Sequence, residues 1–263
     1  SLSFMVGSEF QRTDNYGYSL FYGQVDGPVF EVDSLQEDAT NVNRTVNLPS
    51  QHSFLSYFGR TNYTIKDRYF FQLTARVDGS SRFGRESRYG FFPSASAGWV
   101  VSDEDWFASE RVSFLKLRSS WGRTGNAALP DYARFGTYSA ANNGITYAGD
   151  SILFPLQPAN PTLRWETSTT LDASVEMGLW QDRVTFTLAA YRKMSDDVLM
   201  NVSTPASTGF TNYWDNVAKI LNRGVEFTVK SRNIDKPDFQ WTTNLNISRN
   251  YNELVDIGNY TPD

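Results

Sequence analysis

Tyr69-Phe70-Phe71-Gln72-Leu73-Thr74-Ala75-Arg76-Val77-Asp78 is the stretch that decides the fold. Phe71, Leu73, Ala75 and Val77 alternate with Gln72, Thr74, Arg76 and Asp78, a period of two that puts one set on each side of an extended ribbon. Its length is the second signal. An ordinary globular strand runs about 5 to 6 residues, whereas one crossing an outer membrane at a tilt needs about 9 to 11.

The same beat recurs on both sides of this stretch. In residues 167–179, Leu171, Ala173, Val175 and Met177 oppose Thr170, Asp172, Ser174 and Glu176. From Val184 onward, Phe186, Leu188 and Ala190 oppose Thr185, Thr187 and Ala189. Residues 239–248 set Trp241, Leu245 and Ile247 against Gln240, Thr242, Asn244, Asn246 and Ser248. Residues 115–122 and 224–230 carry Leu115, Leu117, Val225, Phe227 and Val229 on their apolar side. Stretches 2–12, 54–65 and 89–102 are less regular but strand-like. The pattern predicts about nine long strands and no amphipathic helix.

Connections alternate in size. Residues 11–51, 125–163 and 195–219 read as long loops, and 79–88 as intermediate. Lys66-Asp67-Arg68, Trp180-Gln181-Asp182 and residues 233–238 are short, and 103–112 is a moderate turn. An antiparallel meander in a bilayer has this asymmetry, with short periplasmic turns and longer extracellular loops. A charge facing lipid at the midplane costs about 2–4 kcal/mol, so Arg76, Lys116 and Arg118 are expected to face a water-filled lumen, with Asp78, Asp172 and Glu176 beside them. Tyr63, Tyr69, Trp99, Trp180, Tyr191 and Trp241 are expected to form interfacial girdles. The fold class is therefore all-β, an antiparallel transmembrane β-barrel. About nine strands is an odd count that leaves both ends on opposite sides. Residues 1–263 are accordingly read as a partial barrel domain whose plug, closing C-terminal strands and remaining wall lie elsewhere.

Composition narrows the chemistry. A net charge of -5 argues against a nucleic-acid binder, so none is expected as a partner. With Cys 0 and His52 as the single histidine, thiolate sites and His-rich metal sites are excluded; no catalytic residue, cofactor or metal is assigned, and no enzyme activity is expected. His52 is read as a loop or strand-edge residue. Asp103-Glu104-Asp105 and Asp196-Asp197 are read as solvated turns rather than glycosidase pairs. No stretch approaches the roughly 18–20 apolar residues of a membrane helix. Aromatic residues reach 15% at a mean hydropathy of -0.45, rich in rings but not uniformly apolar, as a half-lipid, half-water wall demands. Asp78-Gly79-Ser80-Ser81 is expected to turn through a positive φ at Gly79, with Arg82, Arg85 and Arg88 read as pairing with Asp78 and Glu86 in preference to facing a substrate or lipopolysaccharide.

Four groups of motifs carry a resemblance. They are Gly59-Arg60-Thr61-Asn62-Tyr63 with Lys66-Asp67-Arg68-Tyr69 and the run from Arg76-Val77-Asp78-Gly79 to Arg82-Phe83-Gly84; Gly90-Phe91-Phe92-Pro93-Ser94-Ala95-Ser96-Ala97-Gly98-Trp99; Leu117-Arg118-Ser119-Ser120-Trp121-Gly122-Arg123-Thr124-Gly125-Asn126 with Asn160-Pro161-Thr162-Leu163-Arg164-Trp165-Glu166-Thr167; and Asn216-Val217-Ala218-Lys219-Ile220-Leu221-Asn222-Arg223-Gly224-Val225-Glu226. In this order they resemble the barrel portion of SusC/RagA-type TonB-dependent outer-membrane transporters of Bacteroidetes, over roughly residues 54–250, with Ala218 where that family usually has Gly. The resemblance implies a multi-pass outer-membrane protein of the 22-strand class that imports a glycan or peptide nutrient. It further implies a SusD-like surface lipoprotein as partner, the TonB complex reached through an N-terminal part outside these residues, and outer-membrane lipid around the wall. Tyr138, Tyr147, Tyr213 and Trp214 in the long loops are candidate contacts for cargo or partner, because rings stack on sugars. The competing readings are a passive porin or structural barrel, and a soluble β-rich glycan-binding module.

Overall fold

The computed structural model describes residues 1–22, 42–140, 146–147, 150–210 and 212–258. Its strands are β1 (Leu2–Tyr22), β2 (Val42–Ile65), β3 (Tyr69–Ser80), β4 (Tyr89–Val100), β5 (Val112–Asn126), the short β6 (Thr137–Ala140), β7 (Thr146–Tyr147), β8 (Asp150–Ser151) and β9 (Leu153–Gln157), then β10 (Glu166–Leu179), β11 (Val184–Ser203), β12 (Asn212–Lys236) and β13 (Phe239–Asp256). The nine long strands form one antiparallel sheet in the order β1-β2-β3-β4-β5-β10-β11-β12-β13, with β1 and β13 as open edges; β6 pairs with β9 and β7 with β8. Among the described residues there is no α-helix.

Register carries the two-faced pattern across the whole sheet. Val175 lies opposite Leu117 and Leu188, Leu188 opposite Phe227, and Phe227 opposite Ile247. On the other face Glu176 lies opposite Lys116 and Thr187, Thr187 opposite Thr228, and Thr228 opposite Asn246. Among the described residues nothing packs over the apolar face: Leu73 is 60% exposed and Ile247 56%. A water-soluble monomer seldom leaves an apolar patch larger than a few hundred Å² uncovered, so this surface fits hydrocarbon and not water. From Leu171 to Leu179 the apolar positions of β10 rise roughly 20 Å at the tilt of a barrel strand, close to the height of a lipid-facing band. Even Ser119, on this face, donates its hydroxyl to the Asp172 carbonyl at 3.0 Å, leaving no polar hydrogen to the apolar side.

The short connections cluster at one end. Lys66 and Asp67 have φ of 50° and 52°, and Trp180, Gln181 and Asp182 have 53°, 59° and 60°. Left-handed backbone matches the twist of a tight hairpin but strains non-glycine residues. At the second turn Ser113 offsets the strain, donating to Asp182 Oδ1 at 2.7 Å and accepting from the Asp182 amide at 3.0 Å. At the β4–β5 turn, Glu104 accepts from the Tyr69 hydroxyl at 2.5 Å, the Trp99 indole at 2.9 Å and Arg68 at 3.3 Å. Tyr69 and Trp99 stack at 6.2 Å between centroids. The Tyr69 and Trp99 hydrogen bonds hold the Glu104 carboxyl below the ordinary range.

Several expectations need correction. The segment 195–219 is not one long loop: β11 and β12 stay paired as far as Ser203 and Asn212, and only residues 204–211 connect them. Register shifts between Ser195 and Leu199, with Asp197 at φ 56°, break the period of two and so hid this extension from pattern reading. Likewise the segment 11–51 contributes long paired stretches of β1 and β2, while residues 23–41 lie outside the described residues. Tyr191 is not part of a lipid girdle. It falls in register with Asp172 and Gly224 on the polar face and donates to Asn250 Oδ1 at 2.9 Å. Gly79 has no positive φ; it pairs with Tyr89 in extended strand, where a Cβ would lie 2.5 Å from the Tyr89 ring, so its need is steric. Arg82 pairs with Asp131, and Asp78 with Arg76, in place of the local pairing expected around Glu86.

Replacing Leu188 by Arg places a cation in the middle of the apolar band and is expected to lower the unfolding free energy of the full-length protein in bilayers by about 2–4 kcal/mol. Thr187→Arg, one residue away on the other face, is expected to cost less than 1 kcal/mol. Urea unfolding in lipid vesicles, followed by heat-modifiable gel migration, measures both.

Candidate functional site

Arg76, Asp78, Lys116, Arg118, Asp172 and Glu176 all fall on the polar face of the sheet. Arg76 pairs with Asp78 at 2.6 Å and with Glu9 at 3.4 Å; Arg118 pairs with Glu176 at 2.5 Å; Lys116 sits 5.2 Å from the Phe70 ring centroid; Asp172 accepts from Ser120. Strand alternation sets this: each is one step out of phase with its strand's apolar residues. Five of the six divide between two hollows of the polar face. One, about 420 Å³, is lined by Glu9, Phe54, Arg76, Asp78, Arg82 and Trp165. The other, about 520 Å³, is lined by Gln72, Ser96, Lys116, Arg118, Ser120 and Asp172. Their mixture of paired charges, hydroxyls and amides can hydrogen-bond a polar solute at many weak points.

At the end of the sheet bearing the longer connections, loops fold over the polar face. The 127–165 connection and residues 81–88 pack against strand residues to make the one apolar core cluster seen among the described residues: Phe83, Phe92, Ala127, Leu129, Ala133, Leu163 and Trp165, flanked by Phe54, Leu199 and Trp214. Trp165 is central, with ring centroids 5.1 Å from Phe83, 5.4 Å from Phe92 and 6.3 Å from Phe54, and its indole donates to the Arg88 carbonyl at 3.1 Å. Asn160 ties the loop to β12 by donating to the Trp214 carbonyl at 3.0 Å, while accepting from the Thr162 amide at 3.2 Å in an Asx turn.

Beside this core lies a polar knot that sequence reading missed. Asp131, with a nearly buried side chain, meets Arg82 Nε at 2.9 Å and His52 Nδ1 at 3.0 Å, and Arg82 also donates to the Ala127 carbonyl at 3.0 Å. Burial pushes the Asp131 carboxyl up, but hydrogen bonds from Arg82, Ser50 and His52 outweigh it and hold the group below the ordinary carboxylate range. His52 is in β2, opposite Thr13, and not in a loop. Its partners stand 30 and 79 residues away, a separation no local motif announces.

The candidate loop contacts are scattered. Tyr138 is exposed at the start of the β6–β9 hairpin, the Tyr147 side chain lies outside the described residues, and Tyr213 is half-buried, its hydroxyl donating to Asp215 at 3.4 Å. Trp214 packs on the loop core, so its ring is structural at least in part.

A family model described as "TonB dependent receptor-like, beta-barrel" matches residues 1–263. The chain is 36% identical over 242 residues to TonB-dependent receptor P26 of Formosa agariphila, covering 87% of this chain and 24% of that protein. It is 32% identical over 259 residues to TonB-dependent receptor SusC of Bacteroides thetaiotaomicron, covering 96% and 25% respectively. The chain thus spans about a quarter of the length of the curated relatives it matches. In fold it is similar to a structure of the RagAB peptide transporter, with a TM-score of 0.81 at 22% identity over 98% of this chain and 28% of that one.

Replacing Trp165 by Ala is expected to destabilise the loop core by about 3–5 kcal/mol while leaving the strands assembled. The measurement is limited proteolysis of residues 127–165 in the full-length protein, set against heat-modifiable migration. Because the folded Asp131 carboxyl titrates below its unfolded value, its contribution is complete above about pH 4 and is lost as pH falls through the folded value. Loop protection should fall on acidification below pH ~4 in the natural protein, and Asp131→Asn should reduce protection at pH ~7 and flatten that limb.

Proposed function

Because the chain belongs to the TonB dependent receptor-like β-barrel family, we propose that it forms part of the wall of a SusC/RagA-type importer carrying a glycan or peptide nutrient across the outer membrane. It is an outer-membrane β-barrel protein. In this reading the nine strands continue into further strands of a barrel of the 22-strand class. The polar face, with Arg76, Asp78, Lys116, Arg118, Asp172 and Glu176, lines the lumen, and the loop core stands at the extracellular mouth. A SusD-like lipoprotein caps the mouth, and a plug coupled to TonB opens the path. The observation that carries the reading is the opposition of one uncovered apolar face to one charged, hydrogen-bonded face over the lower part of the sheet, next to the short turns.

Import of this kind needs no covalent chemistry. The wall offers many weak, reversible contacts to a polar solute; cargo too large for a porin is admitted only when the plug yields. The peptide cargo named for the RagAB transporter supports a peptide, and a glycan is the alternative class. Among the loop rings, Tyr138 is the best-placed contact, being exposed at the mouth, with Tyr147, Tyr213 and Trp214 as further candidates.

Uptake of labelled oligopeptides and oligosaccharides by cells bearing the full-length protein tests this. The expected result is accumulation of one class, abolished by loss of TonB or collapse of the proton gradient. Tyr138→Ala should weaken it about 2- to 10-fold, as loss of one ring contact does. Accumulation that persists undiminished without TonB would indicate a passive pore and overturn the proposal.

A further inference from the structure

Arg12, Arg76, Arg118, Lys219 and Arg232 of the strands join ion pairs; three arginines of β11–β13 on the apolar face do not. Arg192 on β11 lies directly opposite Arg223 on β12, and Arg249 on β13 lies opposite Val225, one row nearer the short turns. All three occupy apolar-face positions, in phase with Leu188, Val225, Phe227 and Ile247, and all three are exposed. Among the described residues none has an ion-pair partner. The nearest carboxylate on that face by register is Glu253, opposite Leu221 one row further up, and it joins no ion pair. Arg223 is held over the Tyr251 ring at 4.8 Å from its centroid, which fixes its plane but does not neutralise it.

Two like charges directly opposed across a strand pair destabilise it, and a cation facing lipid costs most at the midplane and little at the interface. Arg192 stands eight residues above Val184, and Arg249 ten above Phe239, which puts the group roughly 20–25 Å above the short-turn end, where the apolar band gives way. At that depth the surrounding matter is the headgroup layer of the outer leaflet. Guanidinium forks match phosphate oxygens in pairs, and a bridging dianion would turn the Arg192–Arg223 repulsion into charge-assisted hydrogen bonds. We propose that Arg192, Arg223 and Arg249 bind the phosphorylated headgroup of an outer-leaflet glycolipid, anchoring this sector of the wall at a defined depth. The inference rests on the apolar face being the lipid face.

The test uses the full-length protein purified in a neutral detergent, with lipopolysaccharide, the same lipid enzymatically dephosphorylated, and inorganic phosphate as probes, read by thermal shift and native mass spectrometry. The natural protein should bind and be stabilised by the phosphorylated lipid. The triple variant R192Q/R223Q/R249Q should bind it at least about tenfold more weakly while keeping heat-modifiable migration and cargo uptake. Should the triple variant fail to assemble, Arg249→Gln, which opposes no other arginine, carries the same expectation at smaller amplitude. Equal binding of the dephosphorylated lipid, unchanged binding by the variants, or full saturation of the effect by inorganic phosphate would overturn the proposal. Quenching of a Leu188→Trp variant by brominated lipid tests the face assignment separately: quenching with no phosphate dependence rejects the headgroup site alone, and no quenching rejects the face.

Discussion

Hydrocarbon cannot hydrogen-bond, and that one property governs the rest of this structure. Every backbone amide and carbonyl within the band must find a partner in the next strand, and every second side chain must be content with lipid. The antiparallel ladder across nine strands answers the first demand, and the Leu73, Leu188 and Ile247 face answers the second. The two open edges, β1 and β13, would leave unpaired groups in lipid, which is why the proposed barrel requires further strands against both.

The same constraint inverts the usual placement of a core. In a water-soluble protein the apolar residues of the strands would be the buried ones; here they are exposed, and the buried residues Phe83, Leu163 and Trp165 belong to the loops and rim. The loops meet water, so they fold as water-soluble structure does, by covering apolar rings and pairing a buried carboxylate. Asp131, Arg82 and His52 then fix residues 127–131 to the polar face of β2. Sheet and loop core are thus held by different solvents, and a change that disturbs one is expected to spare the other.

How much could be read from the sequence follows from the same division. Where alternation is strict, as in residues 69–78 and 167–179, strand identity and the placement of residues such as Arg76 and Glu176 out of phase with the apolar set are legible. Above the band the alternation lapses. Bulges near Asp197 and Asn15 shift the phase, so the paired upper reaches of β1, β2, β11 and β12 read as loop. Tyr191 was misassigned because its type suited a girdle, although its phase, one step from Ala190, already placed it on the polar face. The Asp131 knot was invisible for another reason: its members meet only through the tertiary path of a long connection, and no spacing rule encodes that.

The account depends on which face meets lipid, and the absence of cysteine from these 263 residues makes that directly measurable. Single cysteines introduced one at a time at positions 184–191 of the full-length protein, spin-labelled and reconstituted in bilayers, report collision with oxygen or with a water-soluble nickel chelate. Oxygen access should peak at 186, 188 and 190 and nickel access at 185, 187, 189 and 191, with a period of two throughout. Equal access along the segment, or the opposite phase, would contradict the account.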